Sequence, residues 1–342
     1  MSEGGELRVA EAPAPGSDDA DRPGANRRAT LPSMLDEVWD GLRDRPRTLS
    51  SKYFYDTRGS ELFVEITHLD EYYPTRTERA LLEARGRALL RDHGPRALLE
   101  LGAGSARKTR VLLDAMEARD GGGVYIPQDV SGDFLEETAR RLRTEYPHLE
   151  VTPLVGDLTH PFEPDLEVPR PVMVALLGST IGNFNDAQAT EILVNIQEFL
   201  RPGDRFLMGA DLRPSPGKSV GELEAAYNDA RGVTAEFNRN ILANLNARLG
   251  TDFDLSRFEH RAFYDPEEAR IEMHLASRGG QRVRVPGRGT LELEDGETIR
   301  TEISRKWDRP SVERLFGRGG LRLMDWITDA RGRYALAVGG PG

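Results

Sequence analysis

The sequence predicts an α/β protein: a mostly parallel sheet with a second, α+β unit set into it. Three observations carry this. Short apolar runs alternate with amphipathic helical stretches between residues 97 and 208. The first of these runs ends in a glycine pair, Leu101-Gly102-Ala103-Gly104. After Asp211 the rhythm changes to one long helical stretch followed by strands of alternating character.

Taken in order, residues 1–28 are rich in Ala, Pro, Gly and Asp and read as a disordered tail. A helix is predicted over Met34–Leu42. Thr75-Arg76-Thr77-Glu78 has capping-box spacing ahead of Leu81, Leu82 and Leu89, so a helix is expected to start there. Strands are predicted at Ala97–Leu101, Val124–Pro127, Val151–Val155, Val172–Leu177 and Phe206–Met208, separated by helices at Lys108–Met116, Phe134–Tyr146 and Ala189–Leu200. A helical stretch, Gly221–Leu249, then precedes strands at Ala269–Leu275, Arg282–Val285 and Thr298–Lys306. Leu321–Thr328 and Tyr334–Val338 read as a hairpin returning to the sheet, giving it one antiparallel edge strand. Residues 212–306 are thus read as an insertion between the fifth and sixth strands.

Composition narrows the function. The 342 residues are 38% hydrophobic and 30% charged, ordinary for a globular chain with room for a core. A net charge of -11 argues against a nucleic-acid partner. The absence of cysteine removes disulfides, thiolate nucleophiles and thiolate-held zinc, and is compatible with a reducing compartment. No run reaches the length of a transmembrane helix and no apolar leader opens the chain, so a cytoplasmic protein with no membrane partner is expected. The histidines at 68, 93, 148, 160, 260 and 274 show no metal-ligand spacing, and no metal site is expected.

The glycine pair after the first strand suits a backbone that turns tightly and approaches a ligand. Asp129, closing the next strand, suits a ribose diol. Arg107 stands where a dinucleotide fingerprint needs its third glycine, and it also precedes Lys108-Thr109, where a Walker loop needs glycine. What remains is a cofactor with a ribose and little phosphate, a description S-adenosylmethionine fits. Asp157 with Leu158 could meet an adenine, or Asp157 could be a turn residue. Leu177-Gly178-Ser179-Thr180-Ile181-Gly182-Asn183 permits close approach beside the crevice, or is an ordinary turn before a helix. Paired tyrosines at 53 and 55 and at 72 and 73 suit core filling as readily as ligand binding. Glu302, Ser304 and Lys306 share one strand face, which is either solvated or able to grip a polar ring.

Together these pieces resemble the ergothioneine-pathway L-histidine Nα-methyltransferases. The resemblance runs from Tyr53 to Val338. Five blocks carry it: Tyr53-Phe54-Tyr55-Asp56 with Gly59-Ser60; Glu71-Tyr72-Tyr73-Pro74-Thr75-Arg76; the Gly102 loop with Lys108-Thr109; Leu177–Asn183; and Gly232-Val233-Thr234-Ala235 with Phe237-Asn238-Arg239-Asn240. Gln128, where an apolar residue is expected, and Trp307, where Phe or Tyr is usual, depart from the family pattern.

The resemblance implies a Rossmann-like class I methyltransferase sheet formed by 76–211 and 307–342. It also implies a substrate-binding domain formed by 29–75 and the insertion. It places Tyr55, Gly102, Lys108, Asp129, Asp157 and Leu158 around S-adenosylmethionine. Asn183 and Tyr227, helped by Tyr55, would hold the amino-acid end of L-histidine. Tyr72, Glu302 and Ser304 would recognise the imidazole, with Gly178 and Met273 lining the pocket. The implied reaction is trimethylation of the α-amine to hercynine, with Tyr55, Asn183 and Tyr227 as catalytic candidates and a monomer expected. The competing readings are a relative acting on another amino acid or an indole derivative, and a cofactor-binding protein without catalysis.

Overall fold

The computed structural model describes residues 33–342 except 120, 131 and 163–165; the expected tail lies outside the described residues. The chain opens with α1 (Met34–Arg43), β1 (Arg47–Thr48), α2 (Thr57–Ile66) and α3 (Tyr73–His93). The alternating section is β2 (Ala97–Leu101), α4 (Arg110–Glu117), β3 (Gly123–Asp129), α5 (Gly132–Glu145), β4 (Leu149–Val151), β5 (Leu154–Val155), β6 (Val172–Leu176), α6 (Asp186–Phe199) and β7 (Arg205–Asp211). The insertion holds α7 (Val220–Ala225), α8 (Val233–Leu249), β8 (Phe258–Asp265), β9 (Arg270–Ser277), β10 (Gln281–Val285), β11 (Gly289–Leu293) and β12 (Thr298–Arg305). The chain then returns as α9 (Arg309–Arg318), β13 (Leu321–Thr328) and β14 (Tyr334–Pro341).

The large sheet runs β13-β14-β7-β6-β2-β3-β4, with β5 also on β3. Pairings from β7 to β4 are parallel, and β14 pairs antiparallel with β7 and with β13. The reversed strand therefore lies one place in from the edge. β2 and β6 are fully buried, as strands covered on both faces must be. α3, α4 and α5 cover one face through Leu82, Leu112 and Leu142; α6 and α9 cover the other through Ile192, Ile196, Val312 and Phe316. Strand order reverses between β2 and β6, and an open α/β sheet leaves a ligand crevice at such a point, beyond the carboxyl ends of the strands.

A second core has its own sheet, β1-β12-β9-β8, packed on α2 and α8 through Phe54, Leu62, Phe237, Ile241, Ile271 and Ile299. The β10–β11 hairpin adds Val283 and Leu291. Residues on both sides of the sequence meet here: Arg47 and Thr48 pair with Ile299 and Arg300.

Several sequence expectations need correction. The helix expected from the Thr75–Glu78 capping box begins at Tyr73, because Pro74 fits the first turn. Glu78 is fully buried; its Oε1 accepts from Gly178 N–H and Tyr334 Oη at 2.7 Å each, and Lys108 Nζ lies 2.7 Å from Oε2. The expected strand Val151–Val155 divides into β4 and β5, with Thr152 and Pro153 between them. The long helix breaks at 226–232, where Asp229 accepts from Val233 and Thr234 N–H at 2.9 and 2.7 Å and so starts α8 afresh. β8 and β11 were not expected.

Gly209 in β7 lets Glu78 and Tyr334 meet: a Cβ there would fall 2.0 Å from Glu78 Oε1 and 2.7 Å from Tyr334 Oη. Gly209→Ala is expected to destabilise the fold by about 1–3 kcal/mol through overpacking. Urea unfolding measures it; an unchanged midpoint contradicts this packing.

Candidate active site

The crevice is floored by the loop after β2. Gly102 and Gly104 take φ of 66° and 51°, where a Cβ would be strained. Gly104 N–H donates to Asp129 Oδ2 at 3.0 Å, so the acid closing β3 pins the turn. Leu158 lies over the loop, its Cδ2 3.9 Å from where a Cβ on Gly102 would stand. Asp157 Oδ1 accepts from Thr159 N–H and Oγ1 at 2.9 and 2.7 Å, so it serves as a turn residue whose second oxygen lies 3.9 Å from His160. Buried Gln128 has an Oε1 with no hydrogen-bond partner, beside Gly156. Glu100, below the loop, accepts from Thr109 Oγ1 at 2.5 Å and from Tyr125 Oη. Burial lifts its carboxyl to about 7 against those bonds.

The loop after β6 faces this floor. Gly178 has φ 80°, and Lys108 Nζ would lie 2.8 Å from a Cβ there. A 3₁₀ turn over Thr180–Asn183 follows. Gly182 lets the turn lie against β12, since a Cβ would come 2.9 Å from the Arg305 carbonyl oxygen. That contact brings Asn183, on the large sheet's side, to the strand carrying Glu302 and Ser304.

β12 is irregular at this point. Its register with β9 slips between Arg300 and Glu302, setting Glu302 opposite buried Met273 and Ser304 opposite Ile271. A bulge re-aims the side chains beyond it. Tyr227 Oη donates to Ser304 Oγ at 2.8 Å. Tyr227 and Tyr72 meet edge to face at 6.3 Å; Tyr72 meets Phe63 at 6.3 Å, and Phe63 meets Tyr55 at 5.7 Å. Of the tyrosine pairs, Tyr53 and Tyr73 are core, whereas Tyr55 remains 38% exposed and Tyr72 half-buried. The core-filling reading is thus realised by one member of each cluster.

The side chains of Tyr55, Tyr72, Asn183 and Glu302 make no hydrogen bond among the described residues. Burial raises the Tyr55 phenol, and the Glu302 and Asp129 carboxylates raise it further. Tyr55 therefore stays protonated within electrostatic reach of both ends of the crevice. Burial likewise raises Tyr72 and Tyr227. Glu302 is lifted by burial to about 7, with only the Lys306 ammonium pulling it down.

Sequence reasoning did not find the residues that hold the tyrosines. Asn240 donates to Asp56 Oδ1 at 2.8 Å, and Asn244 to the Tyr53 carbonyl at 2.7 Å, fixing the turn that carries Tyr55. Arg76 donates to the Leu69, Asp70 and Tyr72 carbonyls, fixing the turn before Tyr72. The Phe237–Asn240 and Tyr72–Arg76 blocks were the available signal.

The strand order, glycine loop and acid closing β3 suit a ribose-bearing cofactor such as S-adenosylmethionine. The residues fit that molecule: the Cβ-free turn gives close approach, Asp129 offers a carboxylate, and the buried Gln128 Oε1 has no hydrogen-bond partner among the described residues. The sequence pattern of the family described as histidine-specific, SAM-dependent methyltransferase matches residues 34–339. The histidine N-alpha-methyltransferases of Mycolicibacterium smegmatis and Mycobacterium tuberculosis are 42% and 40% identical over 306 residues, covering 88% of this chain and 93% of each relative. Ergothioneine biosynthesis protein 1 of Neurospora crassa is 30% identical over 305 residues, 83% of this chain and 32% of that protein. The chain belongs to the histidine-specific, S-adenosylmethionine-dependent methyltransferase family.

A desolvated carboxylate without a hydrogen-bond partner costs stability when ionised. Below about pH 4 the Glu302 carboxyl is protonated in folded and unfolded chains alike. Between there and about 7 the unfolded chain ionises while the folded chain holds its proton, so the penalty grows, then levels off. Glu302→Gln is therefore expected to raise the melting temperature at pH 8 and leave it unchanged at pH 4. An equal shift at both values contradicts the burial of this group.

Proposed function

We propose that this chain transfers three methyl groups in succession to the α-nitrogen of L-histidine, giving the trimethyl betaine hercynine. The observation that carries this is that Tyr55, Tyr72, Tyr227 and Glu302 lie within electrostatic reach of one another, while the side chains of Tyr55, Tyr72 and Glu302 make no hydrogen bond among the described residues. A neutral imidazole offers one N–H and one bare nitrogen, matching Glu302 and Ser304. In this reading the unit formed by 29–75 and 212–306 binds substrate, and 76–211 with 307–342 carries the methyl donor.

S-adenosylmethionine, when bound, would supply an electrophilic methyl: the amine lone pair would bond to that carbon while the C–S bonding pair leaves on the sulfur of S-adenosylhomocysteine. Asp129, Asp157, Leu158, Gly102 and Lys108 hold it in this reading. Asn183 donates its amide N–H groups to the substrate carboxylate. Tyr227, whose hydrogen is spent on Ser304, keeps a lone pair for an N–H of the α-amine. Tyr72 packs on the ring with Met273 and Gly178, and Tyr55 closes the amine end. A proton leaves the substrate nitrogen before each transfer, because only the free lone pair attacks.

The three phenols are too strongly raised to serve as bases. Catalysis thus rests on orienting the amine and excluding water, effects able to supply roughly 7–11 kcal/mol. The protein is expected to act as a monomer in the cytoplasm, without metal, nucleic acid or membrane.

The test is an assay with S-adenosylmethionine and each of histidine, tryptophan, tyrosine and arginine, read by mass spectrometry. Histidine is expected to gain three methyls; a failure to do so contradicts the reading. Glu302→Ala should lose about 1–3 kcal/mol of histidine recognition while binding S-adenosylhomocysteine as wild type does. Unchanged efficiency on histidine would falsify the assignment of the ring pocket.

A further inference from the structure

Lys306 directly follows β12, and its ammonium lies 2.9 Å from Ser304 Oγ, yet the reaction above gives Lys306 no task. Lys306 is fully buried. Its ammonium has three N–H bonds and finds three acceptors: Asp211 Oδ2, Tyr227 Oη and Ser304 Oγ, each at 2.9 Å. An ammonium has no lone pair, so every hydroxyl that touches it must accept. Ser304 Oγ also accepts from Tyr227 Oη, at 2.8 Å. Both lone pairs of the serine are then occupied. Its own hydrogen has no acceptor among the described residues, so it remains for the substrate.

We propose that Lys306 is a positioning residue that makes Ser304 an obligatory hydrogen-bond donor, so that the pocket selects a ring with one N–H and one bare nitrogen. Glu302 accepts from the first and Ser304 donates to the second. This rests on the proposed reading of the pocket and adds what fixes its polarity. With a neutral, apolar side chain at 306, Ser304 is free to turn and accept instead, and a ring without a bare nitrogen no longer strands a buried donor. Lys218 supplies the internal comparison. It pairs with the same Asp211, at 2.6 Å through Oδ1, but has no bond to Tyr227 or Ser304. Without Lys306, Asp211 and Lys218 still match charge for charge, so Lys306→Met is expected to fold.

The experiment compares kcat/KM for L-histidine with that for the two pyrrolylalanine isomers, which keep one ring N–H and replace the other nitrogen by carbon. Wild type is expected to prefer histidine by about tenfold or more over either isomer, the effect of stranding one buried donor. Lys306→Met should lose most of that preference, and Lys218→Met should keep it even where overall activity falls. Ser304→Ala gives a second arm should Lys306→Met not fold, since it removes the donor itself and must also collapse the ratio. Equal use of histidine and pyrrole by wild type overturns the proposal, as does an unchanged ratio in Lys306→Met or Ser304→Ala, or an equal collapse in Lys218→Met. Absence of any histidine methylation by wild type defeats the functional reading instead, so the two failures are distinguishable.

Discussion

The arrangement depends on one buried carboxylate, Asp211, held between two lysines where the chain leaves the large sheet. Its oxygens meet Lys218 and Lys306, and Tyr73 Oη donates to both at 2.9 Å. The backbone closes over the same point: Trp307 N–H donates to the Asp211 carbonyl and Arg213 N–H to the Trp307 carbonyl, each at 2.9 Å. The insertion therefore departs and returns at one place. Burial alone would raise Asp211, but the two ammonium groups hold it below its usual range, while burial lowers Lys218 to about 8. Removing one partner from such a group costs about 3–5 kcal/mol, so the cluster specifies geometry more than it adds net stability. Ser179 Oγ accepts from Asp211 N–H at 3.0 Å, tying the loop that ends in Asn183 to the same anchor.

From that anchor two polar networks diverge with opposite character. The inner one is mostly satisfied: Lys306, Tyr227, Ser304, Tyr73 and Lys218 all have partners, which fixes their positions and leaves over only the Ser304 hydrogen and one Tyr227 lone pair. On the side facing the proposed pocket, the side chains of Glu302, Asn183, Tyr55 and Tyr72 make no hydrogen bond among the described residues. Unpaired desolvated groups lower stability and are repaid only by a ligand that complements them.

Much of the large sheet was legible because its strands announce themselves by burial. Ala97–Leu101 and Leu321–Thr328 have the expected bounds, and the crevice residues follow from where strands end. The insertion was harder. β8 is half-exposed, so its apolar positions do not alternate cleanly, and β11 is a short hairpin arm with a polar face. Tyr55 and Glu302 could be named by resemblance, but their surroundings could not: a bulge in β12 and a glycine contact to the Arg305 backbone are tertiary facts with no local signature. Glu78 shows the opposite failure. Its spacing suggested a helix cap, and burial against Gly178, Tyr334 and Lys108 outweighed that local pattern.

The most direct test of the central claim is a crystal structure with L-histidine and S-adenosylhomocysteine bound together. The account predicts one ring nitrogen within hydrogen-bond distance of the Glu302 carboxylate, the other on Ser304 Oγ, and the α-nitrogen facing the sulfur. A histidine bound with its ring toward Asn183, or with its amine on Glu302, would contradict it.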